Sequence, residues 1–198
     1  MNSVTFHGQD YEYYSWENLG KVVFELSDQI IKSELQFDCL VALAKGGLAF
    51  SRSVADYLAI PKVSSIQIEF YTGIGETQKT PVITQSLPIS IRGSKVLIFD
   101  DVVDSGETIK LAKTYLQHHG AHSIHTATLV GKTWAAHKAD FTAVESKSWV
   151  IFPNEARETI ETLSKMWSSK GDSQSEVRQQ LHEVGFTEAE VALFHPVE

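Results

Sequence analysis

Residues 96–108 read Val-Leu-Ile-Phe-Asp-Asp-Val-Val-Asp-Ser-Gly-Glu-Thr, and no other stretch constrains the fold as tightly. The apolar run Val96–Phe99 has the length and β-branched content of a strand buried on both faces. Asp100 and Asp101 follow at its carboxyl end, the edge at which open α/β sheets bind ligands. Asp104-Ser105-Gly106-Glu107-Thr108 then turns the chain into a helix expected over 109–118. Free N–H groups at such a helix start, with two hydroxyls beside them, suit a phosphate. Acids for a diol and a metal next to a phosphate cradle suit a ribose 5-phosphate. An ordinary strand–turn–helix with an acidic N-cap is the plainer reading of the same residues.

The rest of the chain supplies alternating strands and helices. Ser15 is the expected N-cap of a helix carrying Leu19, Val22, Val23, Leu26, Ile30 and Ile31 at helical spacing. Strands are expected over 37–44, 63–70, 96–99 and 123–130, with short extended pieces at 141–144 and 149–152. Helices are expected over 48–58 and from Pro153 to about Lys170. Residues 71–88 carry Gly, Thr, Gln and prolines without lasting periodicity, an excursion long enough to be functional. This alternation implies an α/β fold: a central, mostly parallel sheet flanked by helices. Residues 171–198 break the rhythm. Ser173…Glu176 and Thr187…Glu190 both have capping-box spacing, so a C-terminal helical hairpin is expected, as an extension to a domain spanning 1–170.

The segment 96–108 closely resembles the phosphoribosyl-pyrophosphate signature of type I phosphoribosyltransferases. Ala44-Lys45-Gly46-Gly47, by itself a tight strand–helix turn, resembles that family's pyrophosphate loop. The resemblance covers roughly residues 12–168 and implies the family's fold, with a small hood region and here extra C-terminal helices. It implies a non-proline cis or cis-capable bond at Lys45–Gly46, with Lys45, Gly46 and Gly47 presenting backbone N–H groups to the diphosphate. Asp100 and Asp101 would hold the ribose hydroxyls and the shell of a Mg2+ ion, which favours hard oxygen ligands. Ser105, Gly106, Glu107 and Thr108 would bind the 5-phosphate. Asp104, on the same loop and in the same nucleotide-binding set, would take a proton from the purine and could also cap the helix. Tyr71 matches the tyrosine of a Ser-Tyr pair in relatives, although Phe70 stands where the serine would be. Lys79, in the same excursion, is a further candidate for the diphosphate.

Lys132 and Trp149-Val150-Ile151-Phe152-Pro153-Asn154-Glu155 resemble the base site of bacterial xanthine–guanine enzymes. There a lysine donates to the purine O6, a tryptophan stacks on the ring, and the next residue's carbonyl with a nearby acid reads the C2 group. Lys132, Trp149, Val150 and Glu155 are the matching positions. Lys45 departs from that branch, which carries arginine there, and resembles the hypoxanthine–guanine branch. The implied activity is purine salvage: transfer of 5-phosphoribose from phosphoribosyl pyrophosphate to guanine, xanthine or hypoxanthine, releasing diphosphate. The alternative is a regulatory module that senses phosphoribosyl pyrophosphate or a purine nucleotide without catalysis. Family membership also implies a homodimer or homotetramer.

Composition bounds these readings. A net charge of −8 over 198 residues argues against nonspecific attachment to nucleic acid or anionic membrane. No apolar stretch approaches a membrane span and the start lacks a signal sequence, so a cytoplasmic location is expected. Cys39 stands alone in an apolar run and reads as a small buried hydrophobe. His118, His119, His122 and His125 have no metal-ligand spacing, and favourable placement at a helix C-terminus accounts better for them.

Overall fold

The computed structural model describes residues 1–72 and 79–195. In chain order the strands and helices are β1 (Asn2–Phe6), β2 (Gln9–Tyr13), α1 (Trp16–Lys32), β3 (Cys39–Ala44), α2 (Leu48–Tyr57), β4 (Lys62–Thr72), β5 (Lys79–Gln85), β6 (Lys95–Val103), α3 (Glu107–His118), β7 (Ser123–Lys132), β8 (Phe141–Ser146), β9 (Trp149–Ile151), α4 (Ala156–Ser169), α5 (Gln174–Val184) and α6 (Glu188–Phe194). By their contacts they form two units, Met1–Gly20 with Lys147–Glu198, and Lys21–Ser146. No described helix is long and apolar enough to cross a membrane.

The unit Lys21–Ser146 is built on a sheet of order β5-β4-β3-β6-β7-β8. Every pairing in it is parallel except that of β4 with β5. The apolar runs explain the centre: β3 is buried along almost its whole length, as is β6 after Lys95. Strands covered on both faces need no polar alternation. Cys39, Val41, Leu43, Ile66, Val96 and Ile98 meet Ile109, Ala112 and Leu116 of α3 in one core. Each such fully buried aliphatic side chain contributes roughly 1.5–3 kcal/mol. Cys39 is a member of this core, as expected, and burial raises its thiol pKa.

Strand order decides where a ligand can sit. From β3 the chain passes through α2 to β4 on one side; from β6 it passes through α3 to β7 on the other. The two connections diverge, and the carboxyl ends of β3 and β6 border the crevice left between them. Open α/β sheets bind ligands at such a switch point.

Two features of this sheet differ from the periodicity reading. Lys79–Gln85 forms a strand where a structureless excursion is expected, pairing as an antiparallel edge with β4 through Phe70↔Pro81 and Tyr71↔Thr80. Pro81 hides the signal, since proline argues against a strand except at an edge. Strand β6 also runs on through Asp100 and Asp101 to Val103, because β7 continues beside it and supplies Thr128, Val130 and Gly131 as partners. The two acids therefore lie within the strand's end.

In the other unit, β1 and β2 form a hairpin through His7 and Gly8, both at positive φ. That is the requirement of a two-residue turn matched to strand twist. Strand β9 pairs in parallel with β2, Tyr11↔Trp149 to Tyr13↔Ile151, forming a sheet of order β1-β2-β9. Both C-terminal capping boxes are present: Ser173 and Thr187 accept from the N–H of Glu176 and Glu190, whose carboxylates accept in return. Val177, Leu181, Val184 and Val191 of α5 and α6 then share a core with Tyr11, Ile160, Leu163 and Trp167. Ser15 caps α1 as expected: its hydroxyl accepts from Asn18 N–H at 3.2 Å, and Asn18 Oδ1 accepts from Ser15 N–H at 3.3 Å.

Candidate active site

The turn after β3 is held by its own backbone. Gly47 N–H donates to the Leu43 carbonyl at 2.9 Å, and Leu48 N–H to that of Lys45 at 3.1 Å. The chain contains a non-proline cis peptide at Ala44–Lys45, one bond earlier than the resemblance implies. Both glycines press on the end of β6. A Cβ on Gly47 would stand 2.6 Å from the Phe99 carbonyl oxygen, and one on Gly46 would overlap the Asp101 carboxylate. Close approach, not unusual φ, therefore requires glycine here.

Asp100 and Asp101 are 9% and 7% exposed. Asp100 Oδ1 accepts from Asp101 N–H at 3.0 Å and Asp101 Oδ1 from Val102 N–H at 2.8 Å, which orients both carboxylates. Desolvation raises the Asp101 pKa above the usual carboxylate range, against the lowering effect of these bonds. A buried, paired set of hard oxygens whose charge is costly without a counterion suits a divalent cation. No cluster of three or more metal-binding side chains occurs among the described residues. Magnesium does not need one, since it retains waters and takes one or two carboxylates beside a substrate phosphate.

Asp104–Gly106 links β6 to α3, which begins at Glu107, two residues before the expected start. Gly106, at φ 87°, occupies the N-cap position without a side-chain bond, so Asp104 is not the helix cap. Ser105 Oγ instead accepts from Glu107 N–H, at 3.4 Å. The remaining first-turn N–H groups of α3 lack intrahelical acceptors by construction and carry the positive end of the helix dipole. The loop after β7 is sewn onto this turn: Ala136 N–H and His137 N–H donate to the Ser105 carbonyl at 3.0 and 3.3 Å. His137 Nε2 lies 3.3 Å from Glu107 Oε1.

Lys132 ends β7, only 7% exposed. Its Nζ lies 5.6 Å from the ring centroid of Trp134, whose indole N–H donates to Asp104 Oδ1 at 2.9 Å. Trp134 is a contact of the site that sequence reading misses. An isolated tryptophan two positions after a strand end carries no periodic or motif signal.

The structure thus gathers Lys45–Gly47 with Asp100 and Asp101, and Asp104–Thr108 with Lys132. Tyr71 lies on the β4–β5 hairpin, 68% exposed and paired with Thr80. The residues 73–78 and the side chain of Lys79 lie outside the described residues. Trp149, Val150 and Glu155 belong to the other unit. Trp149 is 40% exposed and 6.0 Å, centroid to centroid, from the Tyr11 ring. Val150 pairs with Glu12 in the ladder, and Glu155 ends the 3₁₀ turn before α4. Of the histidines, His119 packs on Tyr115 and His125 on Phe37.

A mostly parallel sheet flanked by helices, with paired acids and a glycine-containing turn at its switch point, defines an open α/β class. The chain belongs to the phosphoribosyl transferase domain family, whose pattern matches residues 11–160. It is 36% identical over 98 residues to the hypoxanthine-guanine phosphoribosyltransferase of Dictyostelium discoideum, covering 47% of this chain and 54% of that protein. The chain therefore spans about half the length of that relative. It is 29% identical over 141 residues to a xanthine-guanine phosphoribosyltransferase of Nitratidesulfovibrio vulgaris (strain DP4), covering 70% of this chain and 81% of that one. Among solved structures, a purine phosphoribosyltransferase from Pyrococcus horikoshii superposes with a TM-score of 0.65 at 27% identity, covering 72% of this chain and 93% of that one.

Proposed function

We propose that this protein transfers 5-phosphoribose from phosphoribosyl pyrophosphate to a ring nitrogen of a 6-oxopurine, forming the nucleoside monophosphate and releasing diphosphate. The observation that carries this reading is the packing of Gly46 and Gly47 on Asp100 and Asp101 at the divergence of β3 and β6. A diphosphate loop and a diol-and-metal acid pair are useful together only for a ligand that has all those groups.

In this reading Ser105–Thr108 and the start of α3 anchor the 5-phosphate. Asp100 and Asp101 hold the ribose hydroxyls and would hold Mg2+, which when bound neutralises charge on the departing diphosphate. Because Gly47 N–H is already committed to Leu43, main-chain donors to the diphosphate come from Lys45 and Gly46. Asp104 accepts the purine ring proton as the new C–N bond forms. Lys132 donates to the purine O6, a charge-assisted bond of roughly 1.5–3 kcal/mol. That is about one to two powers of ten in discrimination against adenine, which presents a donor at that position. Trp149, the Val150 carbonyl and Glu155 are assigned to base recognition by family resemblance, and Tyr71 and Lys79 to the sugar-diphosphate side. A cytoplasmic location and a homodimer or homotetramer complete the proposal.

Diphosphate release measured with guanine, hypoxanthine, xanthine and adenine tests it. Release is expected with at least one 6-oxopurine and not appreciably with adenine. Release with adenine comparable to the others would overturn the role of Lys132. No release with any base, together with tight binding of phosphoribosyl pyrophosphate, would favour a sensor over an enzyme.

A further inference from the structure

We infer that Trp134 is a positioning residue, its indole holding the Asp104 carboxylate on one side and facing the Lys132 ammonium on the other. The inference rests on the 6-oxopurine reading above, in which those two groups meet the same purine. The geometry is a 2.9 Å bond from Nε1 to Asp104 Oδ1 and a 5.6 Å separation between Lys132 Nζ and the ring centroid.

Main-chain bonds, not core packing, set where this indole stands. Thr133 N–H donates to the Ser146 carbonyl at 3.3 Å, and Ala135 N–H to that of Lys132 at 3.0 Å. Ala136 and His137 bind the Ser105 carbonyl, and Gly106 leaves no room for a Cβ against His137. Ala135 itself is buried in the core. The two residues flanking Trp134 are therefore anchored, while Trp134 itself remains 56% exposed. What the ring supplies is its contact with two polar groups.

The chemistry of that contact is directional. An indole N–H donates and cannot accept, so it fixes the carboxylate through one of its two oxygens. Engaging Oδ1 leaves Oδ2 for the purine proton. The ring's negative face attracts the ammonium, restraining a flexible side chain beside the acid.

The indole region of a 1H–15N correlation spectrum reads the bond directly, because the chain has four tryptophans. Trp134→Phe identifies the resonance by removing it. Asp104→Ala is expected to shift that resonance to the position of a solvent-exposed indole. In kinetics, Trp134→Phe keeps a ring but loses the donor, and kcat should fall on the order of tenfold, a part of what an acid–base group contributes. The KM for phosphoribosyl pyrophosphate should stay within about twofold, since this change touches no sugar or diphosphate group. Trp134→His, with a ring N–H, should recover part of the loss. Combined with Asp104→Asn, Trp134→Phe should add little, as for residues that act as a unit. A resonance indifferent to Asp104→Ala, or fully additive kinetic losses, would overturn the inference. Absence of turnover in the parent chain would instead sink the functional reading and the kinetic role with it, while the spectrum still reports on the contact.

Discussion

Gly46 and Asp101 stand so close that a methyl group on the glycine would occupy the space of the carboxylate. The two residues come from different strands' ends, and their contact ties the turn after β3 to the acid pair of β6. In Gly46→Ala, Asp101 must give up its orientation and its 2.8 Å bond from Val102 N–H, or the turn must withdraw. Loss of a bond to a charged group costs roughly 1.5–3 kcal/mol. The kcat/KM for phosphoribosyl pyrophosphate should accordingly fall by about tenfold or more. Steady-state kinetics with titration calorimetry would check this; parent-like values would mean that turn and acid do not serve one ligand.

Asp104→Asn retains shape and removes basicity. Turnover should fall by about 10²–10⁴, the contribution of a general base. Affinity for phosphoribosyl pyrophosphate should change little, because the phosphate turn is built from Ser105–Thr108. Pre-steady-state rates beside equilibrium binding separate the two effects, and unchanged turnover would refute the proton-transfer role.

Leu181 is fully buried among Tyr11, Trp167, Val177 and Val184. Replacing it by alanine should cost about 2–5 kcal/mol, the usual range for a core leucine. Urea unfolding followed through Trp167, which lies in the same cluster, gives the measurement. A loss below about 1 kcal/mol would show that α5 and α6 do not contribute a real core.

Acid should loosen the same unit. The His7 ring, 2.6 Å away, holds the Asp172 carboxyl below its ordinary 3.8. Ser173 does the same for Glu176, and Arg178 for Glu188, both against an ordinary 4.5. A depressed carboxyl stabilises the fold fully above its unfolded pKa and loses that contribution as pH falls through the folded value. Stability of α5 and α6 should therefore hold from neutrality down to about pH 4.5 and decline below it. Asp101, raised by burial, works in the opposite sense in the other unit, so the signal followed should be that of Trp167. Since the Glu176 and Glu188 carboxyls are exposed, added salt should shrink their share of the effect. A decline that began well above that pH would point to other groups.

Local signals in this chain were strong enough to read directly. The apolar run of β6, the Ser15 cap and both C-terminal capping boxes each act through neighbours a few residues away, and each formed as expected. Lys45–Gly47, Asp100, Asp101 and Asp104–Thr108 stood out for the same reason, as short motifs, and their chemical roles belong to the proposal above. The positive-φ pair His7–Gly8 and the edge strand β5 were harder, the first because the hairpin is short, the second because proline masks its β character.

By itself, then, the sequence determined most of the strands and helices, and it marked the residues proposed to meet a sugar diphosphate. Only tertiary structure decided that β3 lies beside β6, that β9 joins the N-terminal hairpin, and that Trp134 reaches Asp104 from thirty residues away. Propensity and capping are properties of neighbouring residues. Strand order and contacts between distant loops depend on which buried surfaces fit together once the chain has collapsed, and no single segment carries that information.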